Sequence, residues 1–135
     1  GLLKVVLQPS AVSRRLVLVN TNTANVNNIT AVSSRSFTNY SLPPQQADYI
    51  IISNKALTNG AGGSNPVEEY RQYRSSALGG GYNAGVFYID DLVDQFGYGI
   101  KMHPLAVRNF IAYAKASYAV TPKHVLLIGR GVTYN

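Results

Sequence analysis

The stretch "ADYIII" (residues 47–52) is a short apolar run, too brief for a helix and without the alternation of a half-exposed strand. Such a run is expected of a strand buried on both faces, as in a parallel sheet. The residues downstream support that reading. Asn65-Pro66-Val67-Glu68 forms a helix start: Asn65 caps, Pro66 fits the first helical position, and Glu68 reaches back as in a capping box. Val67, Tyr70, Tyr73 or Arg74, Ala77 and Leu78 make its stripe, and Gly79-Gly80-Gly81 ends it. "AGVFYI" (84–89) reads as the next strand, and Asp90-Asp91-Leu92-Val93-Asp94 as a short helical turn. A second strong helix starts at His103-Pro104, with Val107, Phe110, Ile111, Ala114 and Tyr118 at helical spacing. Pro122 closes the connection, and "KHVLLIG" (123–129) is the third strand, with Val125 to Ile128 expected to be buried. The order β-α-β-α-β predicts an α/β fold with a parallel sheet.

Residues 1–46 differ in texture. "LLKVVLQ" (2–8) and "RRLVLVN" (14–20) are strand-like and separated by a Pro9-Ser10 turn, "TNTANVNNIT" (21–30) is loop-like, and "ITAVSSRSFTNYS" (29–41) has imperfect alternation. Leu42-Pro43-Pro44 then breaks the chain. The expected organisation is a small β-rich element over 1–46 followed by the α/β part over 47–135. Gly1-Leu2-Leu3-Lys4 carries neither an initiator Met nor a signal-peptide pattern, so the sequence reads as an excerpt of a longer protein.

With 135 residues, 46% of them hydrophobic, the chain can build one real core. No apolar run approaches the roughly 18 residues that span a bilayer, so no membrane span is expected. The absence of cysteine rules out disulfides, cysteine-ligated zinc and thiol catalysis within this stretch. A net charge of +6 invites a nucleic-acid reading, but the basic residues are scattered and only Arg14-Arg15 are adjacent. Without a basic cluster interleaved with aromatics, no nucleic-acid partner is expected.

Three motifs invite chemistry and are weak on inspection. Gly60-Ala61-Gly62-Gly63 lies between a strand and a helix, as a dinucleotide fingerprint would. It does not turn directly off the strand, Asn65 stands where the third glycine belongs, and Pro66 removes an N–H; no Walker pattern occurs either. Asp90-Asp91-Leu92-Val93-Asp94 has the D-D-x-x-D spacing of magnesium-diphosphate sites, but carboxylates in a first helical turn are explained by the helix dipole alone. His103 and His124 lack a metal-type partner at close helical spacing, and no G-x-S-x-G elbow is present, so both are read as structural. No catalytic residue, metal or cofactor is therefore assigned. Gly129-Arg130-Gly131 remains, a glycine turn at the carboxyl end of a parallel strand, where α/β sheets build their sites. These three residues are the candidate cleft edge, with Arg130 able to face a carboxylate or phosphate.

Residues 47–135 resemble the first half of the gingipain-type cysteine peptidase domain. The residues that carry the resemblance are Tyr88-Ile89-Asp90-Asp91, Phe96-Gly97-Tyr98-Gly99, Pro104, Ala106-Val107-Arg108-Asn109-Phe110 and Tyr113-Ala114, flanked by "ADYIIIS" (47–53) and "KHVLLIG" (123–129). "FTNYSLPPQQADYIIIS" (37–53) is similar to the sortase-like members of the type IX secretion system. The resemblance implies a caspase-like (Rossmann-like) three-layer fold and a His/Cys dyad on later strands, outside this stretch, so that this segment is scaffold. It also implies a parent protein that processes exported proteins at the cell surface or outer membrane of a Gram-negative bacterium. Its partners would be secretion components and the rest of its own polypeptide. Two positions depart from the pattern: Arg130 replaces an aspartate after the strand's glycine, and His103 replaces an aspartate before Pro104. The first keeps open a non-catalytic binding or assembly module as the alternative.

Overall fold

Tyr49–Ser53 forms β1, and each of its five residues is buried, as an apolar run without alternation requires. It is the middle strand of three, in the order β2-β1-β3, where β2 is Ala84–Tyr88 and β3 is His124–Leu127. Both pairings are parallel: Ile51 lies opposite Val86 on one side and Leu126 on the other. Between the strands lie α1 (Pro66–Ser75), α2 (Ile89–Phe96) and α3 (Leu105–Ser117). The computed structural model describes residues 4–17, 20–25, 30–32 and 34–131. The chain divides into two units, Gly1–Arg35 and Ser36–Asn135.

The alternation of β1 sorts the core into two faces. Ile50 and Ile52 pack with Phe87 against Leu92 and Val93 of α2 and Ala106, Phe110 and Ala114 of α3. Tyr49 and Ile51 pack with Ala84 against Val67 of α1, with Leu126 and Ile128 alongside. One helix on one face and two on the other make the three-layer α/β architecture expected from the sequence. Phe110 is fully buried and its ring lies 4.8 Å from Phe87, 5.3 Å from Phe96 and 5.4 Å from Tyr40. Tyr40 thus belongs to this core, and the α/β unit uses residues ahead of Ala47. Tyr118 Oη donates to the carbonyl of Gln45 at 3.3 Å, and Gln46 Oε1 accepts from the Ala119 N–H at 2.8 Å.

The helix ends depart from expectation in two places. Asn65 Oδ1 does accept the Glu68 N–H at 3.1 Å. Glu68 does not complete a capping box; its carboxylate binds Arg71, with a shortest contact of 2.6 Å, because a guanidinium one turn on offers a stronger, charge-assisted partner. The helix also stops at Ser75, short of the predicted Ala77 and Leu78, and Leu78 is 92% exposed. Ser76 Oγ takes up the Tyr73 carbonyl, and the chain doubles back so tightly that a Cβ on Gly79 would sit 1.8 Å from that oxygen. Only glycine fits there.

β3 is the larger correction. The sequence predicts a buried strand, yet Val125 and Leu127 are 42% and 61% exposed. The reason is position: β3 lies at the edge of the sheet, and the α2–α3 layer packs on Ile50, Ile52 and Phe87, that is on β1 and β2. Only the α1-side residues of the β3 segment, Leu126 and Ile128, are drawn into a core.

In the first unit the described residues form a 3-10 turn at Thr23–Asn25 and no strand. Ser10, Asn20 and Asn22 each accept a backbone N–H two residues on, local bonds that compete with ladder formation. Parts of the expected strands over 2–8 and 14–20 lie outside the described residues.

Candidate functional site

The carboxyl ends of β1 and β3 leave the sheet side by side, and local residues set both exits. Asn54 caps the 3-10 turn Lys55–Thr58 by accepting the Ala56 N–H at 2.8 Å, which folds Leu57 back towards β3. On the other side the Ile128 N–H donates to the Ile52 carbonyl at 2.8 Å, extending the pairing one residue past β3. Gly129 then turns with φ 139°, a backbone setting that disfavours any side chain, and a Cβ there would lie 3.6 Å from Leu57 Cδ1.

These exits open a cavity of about 770 Å³. Ile52 and Leu127 line it from the sheet, Ile89 and Val93 from α2, and Val107 and Arg108 from α3, with Met102, His103 and Pro104 at its rim. Gly129, Arg130 and Gly131 all line it, so the residues singled out from sequence meet Ser53, Asn54 and Leu57 there. A smaller cavity of about 230 Å³ lies at the opposite end of the strands, beside Asp48 and Asn83. The larger one occupies the edge where ligands enter open α/β sheets.

The electrostatics of the cavity are one-sided. Arg108 and Arg130 are exposed cations on its lining, and among the described residues no carboxylate lines it. Ser53 is 1% exposed, and its Oγ has no hydrogen-bond partner among the described residues. His103 Nδ1 accepts the Leu105 N–H at 3.1 Å, but the N-cap of α3 is Pro104, so His103 lies one residue ahead of the cap position expected of it from the sequence. The helix itself begins one residue after Pro104.

The remaining motifs take structural places. Asp91 pairs with Lys55 at 3.0 Å, and that hydrogen bond raises the Lys55 pKa; Lys55 also sits 5.5 Å from the Tyr88 ring centre. Among the described residues no cluster of three metal-ligating side chains occurs. Gly60–Gly63 forms a loop closed by the Gly60 N–H on the Ser64 carbonyl, 2.9 Å, and it does not line the cavity. His124 packs tilted against Tyr49 and edge-on against Tyr82, with ring centres 5.4 and 5.1 Å away. The "FGYG" stretch (96–99) is a helix terminator. The N–H groups of Gly97 and Gly99 both bind the Val93 carbonyl, at 3.0 and 2.9 Å, and Tyr98 and Gly99 adopt positive φ. A Cβ on Gly97 would meet Ala106 Cβ at 2.9 Å, so that glycine sets how closely α2 and α3 approach.

Sequence reading missed Ser53, Leu57, Met102 and Arg108 as cavity residues. Ser53 ends β1 and Leu57 follows it, and the rule that sites form at strand carboxyl ends points to both once β1 is known to be central. Met102 and Arg108 arrive through the packing of α3, which no local signal carries.

The sequence profile of peptidase family C25 matches residues 42–135. No curated protein and no solved structure matches the chain. The profile match takes in all three strands, all three helices and the whole lining of the carboxyl-edge cavity. Covering well over half of the sequence, it establishes that this chain belongs to peptidase family C25, the gingipain-type cysteine peptidases.

Proposed function

We propose that this chain is scaffold for a gingipain-like cysteine peptidase related to the sortase of the type IX secretion system. In this reading the protein processes exported proteins at the cell surface or outer membrane of a Gram-negative bacterium. The observation that carries it is the family match across the three-stranded sheet and the cavity at its carboxyl edge. The chain has no cysteine, so in this reading the thiolate is supplied from elsewhere in the polypeptide, with the histidine base that a nucleophile of this kind needs beside it. The part played by these residues is positional. β1 and β3 hold the cleft floor, and Val93 and Val107 form an apolar wall that keeps water from a bound segment.

The test uses the full reading frame of the gene, expressed and treated with a thiol-directed covalent probe. One labelled cysteine, whose labelling is lost when a histidine near it is replaced, is the expected result. No histidine and cysteine at suitable places in that frame, or no labelling, overturns the catalytic reading. It would leave the second reading, a non-catalytic assembly module, which Arg130 favours: it places a cation where the gingipain-type pattern carries an aspartate.

A further inference from the structure

The cavity at the carboxyl edge of β1 and β3 has a composition that specifies its occupant. Its floor and walls are hydrocarbon, from Ile52, Val93, Val107 and Leu127. Among the described residues its charged lining side chains are Arg108 and Arg130, both exposed, with no carboxylate on the lining. Asp90 and Asp94 adjoin the wall residues Ile89 and Val93 in sequence but do not line the cavity, and Asp91 is bound to Lys55 at 3.0 Å. A volume of about 770 Å³ suits a ligand with several side chains. Beside the cavity β3 pairs with β1 alone among the described residues, so its outer edge presents backbone donors and acceptors to an extended chain. A small inorganic anion satisfies the arginines and leaves the hydrocarbon wet, whereas an apolar peptide without charge leaves the arginines unused.

We infer that this cavity binds, in trans, an extended apolar peptide segment carrying one carboxylate, which Arg108 and Arg130 receive. The inference rests on the peptide-processing reading above and adds to it a preference for acidic segments. Ser53 Oγ, buried and without a partner among the described residues, offers a hydroxyl at the cavity lining for the bound backbone.

The experiment is fluorescence anisotropy of short labelled apolar peptides against this chain, identical except for Glu, Gln or Lys at a central position. The Glu peptide is expected to bind about tenfold more tightly than the Gln peptide, the size of one charge-assisted hydrogen bond, and the Lys peptide more weakly than either. Arg130→Glu and Arg108→Glu should each remove the preference for Glu, and the double variant should favour Lys. Both side chains are exposed, so the variants should melt with the parent by circular dichroism; Arg130→Gln and Arg108→Gln repeat the comparison if either glutamate variant unfolds. Equal affinity for the Glu and Gln peptides, binding of none of them, or a Glu preference that survives in the double variant overturns the inference. Inorganic phosphate displacing the Glu peptide while the Gln peptide binds equally well also overturns it, since the site would then be a simple anion site. Neither arginine takes part in the thiol-probe experiment. A failed charge preference therefore leaves the peptidase reading standing, and a failed thiol test with the preference intact leaves an acidic-peptide binder without the catalysis.

Discussion

Phe110 shows what a single side chain carries in this protein. It is fully buried where α3 meets the sheet, and three aromatic rings lie within 5.4 Å of its centre. Phe110→Ala removes those contacts and leaves a cavity that rigid neighbours on α2 and β2 cannot fill. The expected loss is about 3–5 kcal/mol, read as a shift of the urea midpoint at unchanged slope. A loss below about 1 kcal/mol would mean that the α2–α3 layer collapses freely onto the sheet. Residue-scale pattern made this position legible, because Val107, Phe110, Ala114 and Tyr118 recur at helical spacing. Arg130 was legible in another sense: its place after Gly129 puts it at a strand's carboxyl end from the sequence alone. Leu127 was not legible, since a leucine reads as buried in any strand and nothing local says that its strand lies at an edge.

At the scale of the element, α1 tests the electrostatics of a helix start. Asn65 caps it, and Glu68, also in the first turn, is held by Arg71. The hydrogen bond from Arg71 lowers the Glu68 pKa below its ordinary 4.5. A carboxylate whose folded value is depressed contributes stability that is present above the unfolded value and lost as pH falls through the folded one. Thermal melts of the parent should therefore lose a small increment as pH falls from about 5 towards 3. Glu68→Gln should flatten that limb, with little change in the melting temperature below it. An acid limb identical in the two proteins would show that the Glu68–Arg71 pair contributes nothing measurable, as many exposed pairs do not. The first half of this arrangement, the asparagine cap, is written in the sequence Asn65-Pro66-Val67-Glu68. The second half is a choice between two partners for one carboxylate, and the nearby guanidinium wins by charge.

For the whole molecule, the buried tyrosines set an upper pH limit. Burial raises the Tyr118 phenol, and burial is also the largest cause of the rise at Tyr40. For a group whose folded pKa lies above its unfolded value of 10.0, the stabilising contribution is complete below that value and lost as pH rises past it. Stability should therefore hold up to about pH 10 and fall steeply above it. Phenolate absorbance should show these two tyrosines ionising together with loss of helical signal. Tyr118→Phe should shift the alkaline midpoint upwards, at the cost of the hydrogen bond to the Gln45 carbonyl. An unchanged midpoint would place the alkaline transition elsewhere.

The sequence by itself determined the order of strands and helices, the parallel class of the sheet, the asparagine cap of α1 and the family. Each of these depends on residues close together in the chain: an apolar run, a helical spacing, a proline after an asparagine, a run of motif residues. The tertiary structure decided which strand is central, and hence that Ile50 and Ile51 are fully enclosed while Val125 and Leu127 are exposed. It also decided that Tyr40 belongs to the α/β core and that Arg108, from the first turn of α3, shares a cavity with Arg130. Those outcomes depend on which elements lie beside one another in space. Hydrophobic burial is non-directional and rewards any apolar surface removed from water, so the pattern of one strand does not record which neighbours will cover it.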